Sequence, residues 1–149
     1  MFTANDIATV ERWFDDDETR RRLGGREWPR QLLELVRTPP SGTLERIAWL
    51  ALDDEEQVGL VDVEIYPDRT ASLALVVDPE RCCRGHGRAI LELVCRALSG
   101  RVRELRGGIE TGNEASRRCA LAADFAPVAS EPDADGFIDY VRVLDREGA

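Results

Sequence analysis

Residues 76–98, VVDPERCCRGHGRAILELVCRAL, constrain the fold more than any other stretch of the chain. An apolar strand runs into a loop of arginines, two adjacent cysteines and two glycines, and the loop runs into a helix. Ile90, Leu91, Val94, Ala97 and Leu98 line one face of that helix, and Gly100 ends it. A strand feeding directly into a one-faced helix calls for a sheet on which the helix can lie.

The rest of the chain supplies such a sheet. Ile7, Val10, Trp13 and Phe14 recur at helical spacing behind a cap at Asn5 or Asp6. DDDETRRRLGG places acids before bases and stops at Gly24-Gly25, as a short second helix does. Trp28 to Arg37 reads as a third helix with Pro29 in its first turn, and TPPSGT, Thr38 to Thr43, as a linker. Leu44–Ala51, Val58–Tyr66 and Thr70–Val77 are then aliphatic runs separated by acidic and Pro-Asp turns, which predicts three antiparallel strands. Val102–Thr111 follows as a strand, Glu114–Ala123 as a helix and Phe137–Leu144 as a last strand. The class is α+β, and the 149 residues are expected to form one domain with its own core. Residues 5–37 would be its helical part and 44–144 its sheet.

Charge narrows the partners. Acidic residues give a net charge of −9, which disfavours broad nucleic-acid binding and favours a cationic partner. All 20 basic residues are arginine, so chemistry that needs a lysine amine, including the Walker A phosphate loop, has no residue to carry it. The apolar runs are far shorter than the ~20 residues that cross a bilayer. The first ten residues carry no signal-peptide pattern, and cytoplasmic residence is the default expectation. Cys82, Cys83, Cys95 and Cys119 lack metal-site spacing and read as reduced thiols; no metal is expected.

The loop itself suits a phosphate. Amides at a helix start have no internal acceptor, and the helix dipole adds positive charge there. Gly85 and Gly87 shed side chains at the approach points, while Arg81, Arg84 and Arg88 stand in reach to add charge-assisted hydrogen bonds. A dinucleotide fingerprint fails because position 90 is Ile, and a Walker loop fails for want of Lys followed by Ser or Thr. A plain structural turn is the alternative on these residues alone.

The wider pattern resembles the GCN5-related N-acetyltransferases. The family's acyl-CoA motif, Val-x-Pro followed after a few residues by Gln/Arg-x-x-Gly-x-Gly/Ala, is similar to VVDPERCCRGHGRA, with Cys82 at the Gln/Arg position. Asn113, Ser116 and Asp124-Phe125 stand where the family has Asn, a small residue and Gly-Phe, and the likeness spans about Leu44 to Leu144. The resemblance implies a mixed central sheet with helices on both faces and strands splayed at the cofactor. It implies acetyl-CoA as donor, held by the backbone of Val76 and Val77, by Cys82, Arg84, Gly85, His86, Gly87, Arg88 and Ala89, and by Asn113 and Ser116 from the next elements. The helices of residues 5–37 would face the substrate, and the last strands would meet in a homodimer.

The implied activity is direct acetyl transfer to a primary amine on a cationic small molecule or a peptide N-terminus. The family's glutamate and tyrosine positions hold Ser72 and Ala120, neither of which can accept or donate the proton. That departure motivates the alternative of a non-catalytic acyl-CoA-binding module. Parity offers Asp62 and Glu64, two apart on one strand face, and Glu110 on the strand leading to Asn113 as proton acceptors or cation ligands. Tyr140 is the candidate donor to the leaving thiolate. A solvated face for the carboxylates and a core position for Tyr140 are the plain alternatives.

Overall fold

The computed structural model describes residues 1–82 and 84–144. Cys83, read above as a reduced thiol, lies outside the described residues. The three N-terminal helices are α1 (Ile7–Glu11), α2 (Asp17–Leu23) and α3 (Trp28–Arg37). Strands β1 (Glu45–Asp53), β2 (Glu56–Ile65) and β3 (Thr70–Val77) follow, then α4 (His86–Leu98), β4 (Glu104–Glu110), α5 (Glu114–Ala122), β5 (Ala126–Pro127) and β6 (Phe137–Val143). The strands form one mixed sheet in the order β1-β2-β3-β4-β6-β5. Among the described residues only the β3/β4 pair is parallel.

Alternation along the strands gives the sheet two apolar faces. Val61, Val63 and Ile65 join Ile90, Leu91 and Val94 of α4 in one core, while Ala48, Leu60 and Val76 meet Val10, Phe14 and Leu32 of the N-terminal helices in the other. A Cβ on Gly59 would stand 2.7 Å from Ile90 Cδ1, so that glycine lets α4 press closely onto β2.

Two elements differ from the sequence reading. The first helix is broken into a 3-10 turn at Ala4–Asp6, α1, and a second 3-10 turn at Arg12–Asp15, tightened ends that carry Trp13 and Phe14 into the core. The short edge strand β5 carries only two pairs to β6, at Ala126 and Pro127, too brief for an alternation to reveal it.

What positions the site is the β3/β4 pair. Its partners are Thr70–Glu104, Ala71–Leu105 and Ser72–Arg106, and pairing stops there. Beyond Ser72, β3 runs on to Val77 beside β2, and beyond Arg106, β4 runs on to Glu110 beside β6. A wedge-shaped gap opens between them.

Candidate active site

The gap is edged by backbone. Asp78 N–H donates to Val58 O at 2.8 Å, so by antiparallel alternation the even residues of β3 bond to β2 and the odd ones turn toward β4. The position of Gly107, whose Cβ would stand 3.5 Å from Leu73 O, agrees. Val77, Leu75 and Leu73 therefore present amides and carbonyls to the gap. The backbone of Val76, expected at the cofactor, is instead spent on β2 and its side chain lies in the N-terminal core, so on this strand it is Leu73, Leu75 and Val77 whose backbone faces the gap.

At the mouth of the gap stands the start of α4. Gly85 is its N-cap at φ 82, a left-handed conformation, with no side-chain cap. The first helical turn closes with Ala89 N–H donating to Gly85 O at 3.2 Å, leaving the amides of His86, Gly87 and Arg88 ahead of it without helical acceptors. A Cβ on Gly85 would meet nothing within 4 Å, so the cradle is open on that side. Gly87 works differently: its Cβ would fall 2.9 Å from Cys119 Sγ, so it permits α4 to pack on α5 rather than a ligand to approach. Of the three guanidinium groups near the loop, Arg81 is paired with Glu56 and Asp78, and Arg88 with Glu92 at 3.2 Å. Arg84 is exposed and has no ion pair among the described residues. Cys82 is exposed in the turn before it.

Asn113 and Ser116 meet through a helix cap. Ser116 N–H donates to Asn113 Oδ1 at 3.3 Å, which starts α5 and leaves the Asn113 amide nitrogen to donate elsewhere. Asp124 holds φ 65, a left-handed conformation that glycine adopts more readily, and Phe125 after it is buried.

The proton-transfer candidates do not converge. Asp62 and Glu64 lie on the α1–α3 face, where Arg46 of β1 holds both: Nε and Nη2 reach the Asp62 carboxylate at 2.8 Å each, and Nη1 reaches Glu64 at 2.6 Å. The Asp62 bond foremost, against burial, raises Arg46 above the ordinary arginine value. Glu64 also accepts from Thr43 Oγ1 at 2.8 Å. Glu110 shares this face and accepts from Arg22 at 3.0 Å. Tyr140 is 5% exposed on the opposite face, in the α4/α5 core, lining a cavity of ≈170 Å³ with Asn113 and Ile109. Its parity on β6, with Ile138, excludes it from the carboxylates' face. Ser72 exchanges a hydrogen bond with Tyr66 Oη at 3.1 Å, and Ala120 is buried. Sequence reading missed Arg46 and Tyr66; the parity of Arg46 with Ala48 and Leu50 was the available signal, but which strand it would face depends on register.

Residues 7–125 match the acetyltransferase (GNAT) family. The chain belongs to that family. It is 31% identical over 137 residues to YfmK, an uncharacterised N-acetyltransferase of Bacillus subtilis (strain 168), covering 91% of this chain and 89% of the relative. A crystal structure of an acetyltransferase from Thermus thermophilus superposes with TM-score 0.76 at 26% identity, covering 96% of this chain and 94% of that one. The aminoglycoside acetyltransferase AAC(6')-Ib in complex with coenzyme A shares the fold at TM-score 0.78 and 14% identity, over 96% and 92% of the two chains. This GNAT protein is an acyltransferase that takes its acyl group from acetyl-CoA. The donor set fits that group: free helix-start amides and Arg84 for a diphosphate, and strand-edge amides and carbonyls for an amide-bearing arm.

Proposed function

We propose that this N-acetyltransferase acts on a cationic primary amine, a small molecule or a peptide N-terminus, entering from the α1–α3 face of the gap. The observation that carries the reading is the charge of that face. Asp62, Glu64, Glu104, Glu110 and Asp139 share it with Arg46 and Arg106 of the strands, so carboxylates outnumber the strand guanidiniums there. Each is partly screened: Arg106 Nη2 meets Glu104 at 3.0 Å and Nη1 meets Asp139 at 3.4 Å, and Arg22 and Arg21 of α2 meet Glu110 at 3.0 and 3.5 Å, which leaves five carboxylates to four guanidiniums. The surplus still attracts a cation.

Small residues flank the place where the acyl group would lie. Ala74 of β3 and Gly108 of β4 face the same side, and Asp62 stands opposite Ala74 across β2/β3. The neutral amine attacks the thioester carbonyl, the C–N bond forms, the C–S bond breaks, and the thiolate takes up a proton. We assign proton acceptance through water to Asp62, held in orientation by Arg46. Both oxygens of the Asp62 carboxylate already accept from Arg46, which favours an acceptor that needs little help. Freeing an α-amine at pH 7.4 costs under about 1 kcal/mol, against about 4 kcal/mol for a lysine-like amine.

An amine panel followed by release of free thiol from acetyl-CoA tests the reading, with a basic dipeptide, an acidic dipeptide of matched α-amine and spermidine as members. The basic dipeptide should turn over fastest and lose efficiency as salt rises. Equal rates for the acidic dipeptide, or a flat salt response, would overturn the charge argument.

A further inference from the structure

The N-terminal helices rest on β1–β3, yet one segment of them reaches across the gap to β4. Residues 15–27, which include α2, leave and return at a common base. The rings of Phe14 and Trp28 stack there at 5.6 Å, and Arg26 Nε meets Asp15 Oδ1 at 3.1 Å. Beyond the base the segment is weakly held: α2 has no fully buried residue, and Leu23 is its half-buried contact with the N-terminal core. Gly24 follows α2 at φ 124, a conformation glycine adopts readily and other residues rarely. At the tip, Arg22 Nη1 meets Glu110 Oε2 at 3.0 Å and Arg21 Nη1 meets Glu110 Oε1 at 3.5 Å. The Arg22 side chain is 17% exposed and that of Glu110 31%, more sheltered than Glu18, the other partner of Arg22, at 61%.

We propose that Glu110 is a positioning residue that latches the strap of residues 15–27 over the acceptor side of the β3/β4 gap by holding Arg22. Glu110 lies at the end of β4, and its carbonyl accepts from Asn113 N–H at 3.0 Å, so the latch lands beside the turn that the cofactor reading uses. Gly24 gives the strap its turning point. The carboxylate thus closes the groove instead of serving as a base. The inference rests on the reading that the acceptor enters from this face, but its first test does not.

Because the chain has no lysine, trypsin cuts only after arginine, and Arg20, Arg21, Arg22 and Arg26 put its sites in the strap. Glu110→Gln should speed cleavage there about five-fold, the effect of ~1 kcal/mol at 1.4 per tenfold. Arg22→Gln, which leaves β4 untouched, should act in the same direction at the remaining sites, and the double variant should cleave no faster than Glu110→Gln alone. Melting temperatures would confirm that the variants stay folded. With the best acceptor from the panel, Glu110→Gln should raise the acceptor KM more than it lowers kcat. Unchanged cleavage in both single variants would overturn the latch, as would a fall in kcat with a shifted pH profile and unchanged KM. A panel without any acceptor would sink the acceptor reading, while the proteolysis result would still decide the latch.

Discussion

Gly87→Ala separates packing from ligand approach at the α4 start. Its Cβ would fall 2.9 Å from Cys119 Sγ and 3.6 Å from Cys119 Cβ, so α4 and α5 would have to part by a few tenths of an ångström. Overpacking of this kind costs about 1–3 kcal/mol, offset by up to ~1 kcal/mol of helix propensity gained over glycine. A net loss of about 1 kcal/mol follows, or about 2–4 °C in Tm for a chain of this length. Cys119→Ala removes the sulfur, so the double variant should recover the loss, with a coupling of about 1 kcal/mol or more in a urea-denaturation cycle. Calorimetry should show the same pattern for coenzyme A, weaker in Gly87→Ala and restored in the double. Additivity within about 0.5 kcal/mol, or a single variant more stable than wild type, would refute the packing account.

Other consequences can be measured directly. Arg84→Gln should weaken coenzyme A binding by about ten-fold or more, the loss of a charge-assisted hydrogen bond, and leave the melting temperature in place; calorimetry reads both sides of that statement. Gly85→Ala meets no steric obstacle but must hold φ 82, so it should cost ~1–2 kcal/mol in urea denaturation as well as coenzyme affinity. Arg46→Met leaves the Asp62 and Glu64 side chains, 11% and 20% exposed, without their cation, and should destabilise by about 3–5 kcal/mol; a loss under ~1 kcal/mol would show the pair to be solvated. Burial, partly countered by Arg142, raises the Cys95 thiol above its ordinary value of 9.0. The unfolded chain then releases that proton first, so stability should decline as pH climbs above about 9, and Cys95→Ala should flatten the decline in urea midpoints taken from pH 8 to 10.5.

Much of this arrangement is local and therefore readable in the chain. The run from Val76 to Gly100 dictates strand, turn and helix because apolar period, glycine and the helix stop all lie within it. Asn113 announces the start of α5 because a cap needs only the amide three residues on, which Ser116 supplies. The role of Gly87 was not readable, since Cys119 is far from it in sequence. Nor was the division of the four proton-transfer candidates between two faces, because parity relates residues within one strand and says nothing of which side a distant strand will turn.

The register of β1 on β2 shows where sequence stops and tertiary structure begins. From the Asp54-Glu55 turn, Asp53 pairs with Glu56 and Leu52 with Gln57, and a regular ladder would bring Arg46 opposite Val63. A bulge between Ala51 and Leu52 shifts the pairing so that Arg46 meets Glu64 and turns to the face of Asp62. The sequence alone determined every strand but β5, the glycine turn ahead of α4 and the family. Only the folded sheet decided which guanidinium meets which carboxylate, because a slip of one residue exchanges the two faces of a strand, and the side that wins is set by what packs against it.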